Sequence, residues 1–504
     1  MKTQTMTVRL ATVLLTVMLL FSSCGIIILN DGDEVGTTQA PVTDLPDPTG
    51  TYLPNEYPVR EETDGFSVSC DRLNALPSAD LNGISSFFAV ASETGDMWND
   101  EAGLYVSPGN RRNALVNEKY NTTVISQYYE AETLLAKVRD AYRAGDYFAD
   151  FAVIPHIELG AYYKAGYLNN LKSLLHTDFS AEYYNQEAMA QMTVGGVIYA
   201  AVGDATEQLE QYACLYINKT LTAPYGVTPN YKALYDGTFT WDSLLISMKA
   251  LPEEVIGYVT GYDSDTMRVM TYYSLNKAFL SPNGIGGMIL VANNAATAAL
   301  VETVKEILPF ETSTLTLDMD SWQTEPEGDA AESVGPAMLE GFEIFSAGKS
   351  AYAFGLLGDI ASLRTAGFLW EVMPYPKLSD TEEYGTPIHN NAPVIVSLST
   401  GSNIETMGYI LQALNAASFG FSRDAFYEDA FETAITGIYT LDMLDIIREN
   451  PIYDHSRMFG STSSALREGT YRAYYHALGG DREASYYFNR YTRNLQVYLD
   501  GLVG

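Results

Sequence analysis

Sugar rings are bound by flat aromatic faces set beside planar polar side chains, and one loop of this chain offers both: Trp98, Asn99 and Asp100 in succession. An indole face packs on ring C–H groups, while an amide and a carboxylate pair with ring hydroxyls. The competing reading of the same three residues is a solvated loop in which Asp100 closes an Asx turn. Trp241 and Trp370 supply two more faces, with core packing as the alternative for each. Asp204, Asp265 and Asp359 are candidate hydroxyl acceptors. Acidic loop residues are the background expectation in a chain with 63 Asp and Glu, and Asp359 also reads as half of a structural ion pair.

Bond-breaking chemistry finds less support. The five histidines, His156, His176, His389, His455 and His476, show no metal-ligand spacing, and no Gly-x-Ser-x-Gly elbow is present. Gly284-Ile285-Gly286-Gly287 lacks the strand-turn-helix context of a dinucleotide loop. The expectation is a protein that is not an enzyme and carries no metal and no cofactor. Carboxylate pairs occur throughout by composition, so a cell-surface glycoside hydrolase stands as the competing reading.

Composition narrows the partners. A formal charge of −34 repels phosphate backbones, which argues against nucleic acid. The 37 tyrosines suit amphipathic ligands, although most must serve as core or surface. A length of 504 residues exceeds one core, so two lobes are expected. Lys2 and Arg9 precede an apolar run, Leu10–Phe21, too short for a good membrane span, and the run ends in Ser22-Ser23-Cys24. This resembles the bacterial lipoprotein signal, which implies removal of residues 1–23 and lipidation of Cys24. A retained membrane anchor is the alternative. Residues 24–79 read as a flexible acidic tether, with only Phe66–Leu76 hinting at structure that docks on the first lobe. Cys70 and Cys214 read as free thiols.

The candidate loops need a scaffold. Apolar runs predict strands over Ile84–Ser92, Thr122–Tyr129 and Asp150–Pro155, with helices over Arg111–Tyr120 and Glu132–Ala144 between them. That βαβαβ order predicts a parallel sheet with ligand loops beyond its carboxyl ends, at Glu93–Asp100, Pro155–Leu159 and Val202–Thr206. Gln211–Leu221 reads as a buried strand crossing to a second lobe, and Pro393–Ser399 as the return. Between them Thr240 caps a helix, Gly348–Gly355 and Phe368–Met373 are strands, and Glu311–Gly335 is an acidic surface excursion around Trp322.

These segments resemble a known family in order and wording. Val116-Asn117-Glu118-Lys119-Tyr120-Asn121, Gly145-Asp146-Tyr147-Phe148-Ala149-Asp150, Ala165-Gly166-Tyr167-Leu168-x-x-Leu171 and Leu215-Tyr216-Ile217-Asn218-Lys219 are similar to extracellular solute-binding proteins of ABC importers. Gly348-Lys349-Ser350-Ala351 and Pro374-Tyr375-Pro376-Lys377 match the same pattern in the second half. Thr94-Gly95-Asp96-x-x-Asn99-Asp100 resembles the carbohydrate-type members. The resemblance implies an α/β, periplasmic-binding-protein-like (class II) fold: two lobes, a hinge and a central ligand cleft. It divides the chain into 80–212 with 393–450 as lobe I and 213–392 with 451–504 as lobe II. It also implies a monomer held by lipid on the outer face of the cell membrane. Such a protein captures a small-molecule solute, an oligosaccharide by preference, through hinge closure and hands it to ABC permease subunits. A passive polysaccharide adhesin is the remaining alternative.

Overall fold

The computed structural model describes residues 65–94, 108–261, 264–311, 337–401, 404–420, 423, 426–427 and 439–502, all within the compact unit Pro58–Gly504. The expected signal segment, Cys24, most of the tether, Trp98, Asn99, Asp100 and Trp322 lie outside the described residues. Eight strands carry the architecture: β1 (Ser85–Ala91), β2 (Thr123–Tyr129), β3 (Phe151–Pro155), β4 (Ala213–Asn218), β5 (Ile256–Thr260), β6 (Ser350–Leu356), β7 (Trp370–Met373) and β8 (Pro393–Ser397). They form two four-stranded sheets, in the orders β8-β3-β1-β2 and β7-β4-β6-β5.

The first sheet is buried on both faces, which explains the unbroken apolar run of β1. Phe88 and Val90 point to the layer holding Val116 of helix Pro108–Tyr120 and Met407, Ile410 and Leu414 of helix Ile404–Ala416. Ala89 and Ala91 point to the opposite layer, with Leu134 and Val138 of helix Ala131–Ala144. Small residues on that face let the helix lie close. The helix stops at Gly145, whose φ of 72° is the left-handed conformation that closes a helix end.

Each sheet contains one strand antiparallel to its neighbour, or neighbours, delivered by the other half of the molecule. β8 runs against β3, with Pro393 opposite Pro155. β4 runs against both β6 and β7, with Ala213 opposite Leu356 and Leu215 opposite Met373. The chain leaves the first sheet at Ala201, which bridges Ile395, and enters the second through Tyr212. It returns through Ile388, and Tyr212 and Ile388 bridge each other. The carboxyl ends of β1, β3, β6 and β7 therefore all point at the two passages.

Several boundaries differ from the sequence reading. Helix Gly65–Ala75, at the end of the segment read as tether, is docked on the first lobe as expected of Phe66–Leu76: Leu73 is buried in the first-sheet core, and Ser69 Oγ donates to the Phe419 carbonyl at 3.0 Å. Helix Thr440–Glu449, placed by sequence in lobe I, packs on β7 of the second sheet; Thr440 Oγ1 donates to the fully buried Glu371 at 2.6 Å. Residues 455–459, placed in lobe II, lie against the first lobe, where Phe459 meets Tyr163 edge-on at 5.5 Å. Amphipathic periodicity marks a buried face without naming the sheet that covers it. Glu311 is no surface residue, because Arg268 holds it in a pair in which both side chains are under 10% exposed, at 3.0 Å. A short helix, Tyr231–Tyr235, precedes the helix capped by Thr240.

The return passage is tightly seated. A Cβ on Gly385 would fall 2.3 Å from the Tyr273 carbonyl and 2.7 Å from Asn276 Cα, both backbone atoms. Gly385→Ala is expected to lower the unfolding free energy by about 2 kcal/mol or more, as overpacking against rigid backbone does. Urea denaturation of the two proteins checks this, and an unchanged midpoint would contradict the packing.

Candidate ligand site

Beyond the carboxyl end of β3 the chain turns at Pro155 into His156-Ile157-Glu158 and then helix Leu159–Ala165. His156 is held by its own backbone, its N–H donating to the Ala392 carbonyl of the return passage at 2.9 Å. Its ring is 3% exposed and lies edge-on to Tyr453 at 5.7 Å, and its Nδ1 is buried without a partner. Burial, with Arg457 and His389 nearby, pushes His156 down to about 3, so the ring is neutral.

Glu158 Oε2 and the Tyr162 hydroxyl are likewise buried without hydrogen-bond partners. Burial, reinforced by Glu93, pushes Glu158 up to about 7. Glu93 follows β1, and both its oxygens lie 3.0 Å from the Ala131 N–H at the start of helix Ala131–Ala144. Unmade hydrogen bonds on buried groups cost about 1–3 kcal/mol each. Three of them lie together beyond the end of one strand, the position where ligands of such sheets sit.

The passages contribute the floor. His389, 7% exposed, sets Nδ1 3.2 Å from Gln211 Oε1, which ties return to outward passage. The His389 N–H also donates to the Gln211 carbonyl at 2.8 Å. Gln208 Nε2 is buried and unpartnered. Arg457, on helix His455–Met458, reaches the return passage, where its Nη2 donates to Asn390 Oδ1.

The residues singled out by sequence fall differently. Asp204 is not an open acceptor: Arg72 of the docked helix takes its Oδ2 at 2.8 Å and also reaches Glu182 at 2.9 Å. The carboxylate anchors the N-terminal helix. Trp241 is fully buried, stacked 5.9 Å from Phe354, with its indole N–H donated to Ser274 at 2.9 Å. Trp370, 2% exposed, packs on Tyr216 at 6.0 Å. Both rings are covered by protein on each face, so neither is a sugar platform. Asp359 follows β6 at the correct end of the second sheet, but its Oδ2 accepts the Leu356 N–H at 2.7 Å and caps the turn Leu357–Leu363. Asp265 sits in the first turn of helix Ser264–Met270, and its side chain lies outside the described residues. Of the three expected ligand loops, Pro155–Leu159 carries the unpartnered groups. His156, Glu158, Tyr162, His389 and Arg457 were missed as site residues. The one available signal was the position of the first three just after a predicted strand.

No family model matches the chain, and no curated protein matches it. Solved structures do. The cyclic alpha-maltosyl-1,6-maltose binding protein from Arthrobacter globiformis is 12% identical with a TM-score of 0.53, covering 83% of this chain and 100% of its own. The galacto-N-biose/lacto-N-biose I-binding protein of the ABC transporter from Bifidobacterium longum is 12% identical with a TM-score of 0.52, covering 84% and 98%. A family 1 extracellular solute-binding protein from Bifidobacterium longum subsp. infantis is 12% identical with a TM-score of 0.51, covering 82% and 99%. The fold is thus the two-lobed α/β fold of periplasmic-binding-protein type.

Asp359 gives a pH test of this geometry. Burial lifts its carboxyl to about 6, against the pull of the Leu356 N–H. The folded chain then holds this proton more tightly than the unfolded chain, so the stabilisation is complete below about pH 4 and is lost as pH rises through 6. Asp359→Asn keeps an acceptor for Leu356 and cannot ionise. Relative to the variant, the wild type is expected to lose roughly 1–2 kcal/mol between pH 4.5 and 7.5. Parallel denaturation midpoints across that range would refute the assignment.

Proposed function

We propose that this protein captures an extracellular solute, an oligosaccharide, by closing its two lobes on it, and delivers it unaltered to an ABC permease. The observation that carries the reading is the convergence of both sheets' carboxyl ends on two passages, where buried His156, Glu158 and Tyr162 hold unmade hydrogen bonds. Sugar hydroxyls both donate and accept, so they can complete a neutral imidazole, a carboxyl and a phenol together. Neighbours that share the fold include a cyclic alpha-maltosyl-1,6-maltose binding protein and a galacto-N-biose/lacto-N-biose I-binding protein, which supports the choice of solute. Closure follows if the solute touches both lobes at once, because only differential contact shifts the equilibrium.

In this reading Trp98, Asn99 and Asp100, which follow β1 in sequence, supply the stacking face and further hydroxyl partners, and Asp265 is a hydroxyl acceptor. Residues 1–23 are a lipoprotein signal, Cys24 is lipidated, and the body works as a monomer on the outer face of the membrane. Among the described residues no helix is long and apolar enough to cross a membrane.

A hydrolase reading has one observation in its favour: Glu158, held up to about 7, stands near a second carboxylate, Glu93. That is the pairing of an acid and a nucleophile or base. Glu93, however, is committed to the helix start at Ala131, which leaves no free base opposite.

A thermal-shift screen of neutral and acidic oligosaccharides tests the proposal. A solute at about a hundred times its Kd adds about 2.7 kcal/mol and should raise Tm by roughly 3–5 °C, with a smaller radius of gyration by X-ray scattering. Release of reducing ends from the same glycans would favour the hydrolase. Binding with unchanged scattering would favour the passive adhesin.

A further inference from the structure

The chain carries 34 more negative than positive charges, yet Arg457 forms no salt bridge among the described residues. Its guanidinium donates to Asn390 and lies 5.1 Å over the Tyr471 ring, and it makes no ion pair among the described residues. The acid three positions earlier, Asp454, lies within electrostatic reach of Arg457 but does not pair with it: its Oδ2 accepts the Phe279 N–H at 2.8 Å and its Oδ1 the Ser456 N–H at 2.7 Å. Two other arginines that link distant segments are paired. Arg268 meets Glu311, and Arg448 meets Glu207 with two bonds of 2.6 and 3.2 Å. A half-buried guanidinium without a directly paired carboxylate leaves its strongest hydrogen bonds unmade.

Arg457 also stands in the site described above. It reaches Asn390 between Ile388 and Ala392, and its helix packs on His156–Glu158. Beside it His156 offers a buried, unpartnered Nδ1 at 3% exposure, an independent sign that a polar ligand atom belongs there. A guanidinium presents a planar fork that matches a carboxylate, and Tyr471 and Asn390 fix the plane in which it does so.

We infer that the captured saccharide bears a carboxylate, on a uronic acid or sialic acid unit, and that Arg457 receives it at the hinge end of the site. This rests on the solute-capture reading. Glu158 does not oppose it, since its raised proton affinity lets it donate to an anionic neighbour rather than repel it. The arginine would then act as specificity determinant: a neutral sugar leaves the cation uncompensated, and an acidic one completes it.

Isothermal titration of the purified exported body distinguishes the outcomes, using trigalacturonate against its methyl ester and a sialylated trisaccharide against its neutral disaccharide core. At least one acid should bind about tenfold more tightly than its neutral counterpart, and added NaCl should narrow that ratio. Arg457→Gln should bring the ratio close to one, while Arg457→Lys retains part of it and guards against a folding defect in the first variant. Equal affinity for acid and neutral partner, or an unchanged ratio in Arg457→Gln, overturns the inference while leaving solute capture intact. Failure of every saccharide, neutral or acidic, to bind overturns both.

Discussion

The antiparallel bridge between Tyr212 and Ile388 is the contact on which the arrangement depends. It joins the two passages side by side, so a chain that enters one sheet must begin where the other sheet's strands end. β4 and β8 therefore both start at the bridge and run away from it, while β1, β3, β6 and β7 finish beside it. Right-handed β-α-β connection fixes the rest, because each parallel strand returns to the same end. The ligand loops of both halves are brought together by strand direction alone.

The same junction concentrates polar groups in low dielectric. Two kinds must be separated. Glu371, Glu207, Asp454 and Asp204 have their oxygens taken up by Thr440 and Tyr231, Arg448, backbone amides and Arg72 respectively, and these tie segments far apart in sequence. His156, Glu158 and Tyr162 keep buried atoms unmet. A satisfied buried network stiffens the fold, whereas an unsatisfied one lowers its stability until something else completes it.

What the sequence determined by itself was the set of local elements. Apolar runs and helical periodicity placed seven of the eight strands to within a few residues, missing β5, identified Gln211–Leu221 and Pro393–Ser399 as crossings, and found the helix capped by Thr240. These are written in the nearest neighbours along the chain, where side-chain alternation and capping act. The loop after β3 was named for the same reason.

Tertiary structure alone decided which polar and aromatic side chains are spent on the fold. Trp241 and Trp370 look like platforms until Phe354 and Tyr216 cover them, and Asp204 looks open until Arg72, 132 residues away, arrives. Arg457 shows the converse, an ordinary basic residue in the sequence that the fold sets against the return passage at Asn390 without a salt bridge among the described residues. Pairing and burial depend on residues brought together across hundreds of positions, and no local spacing encodes that meeting.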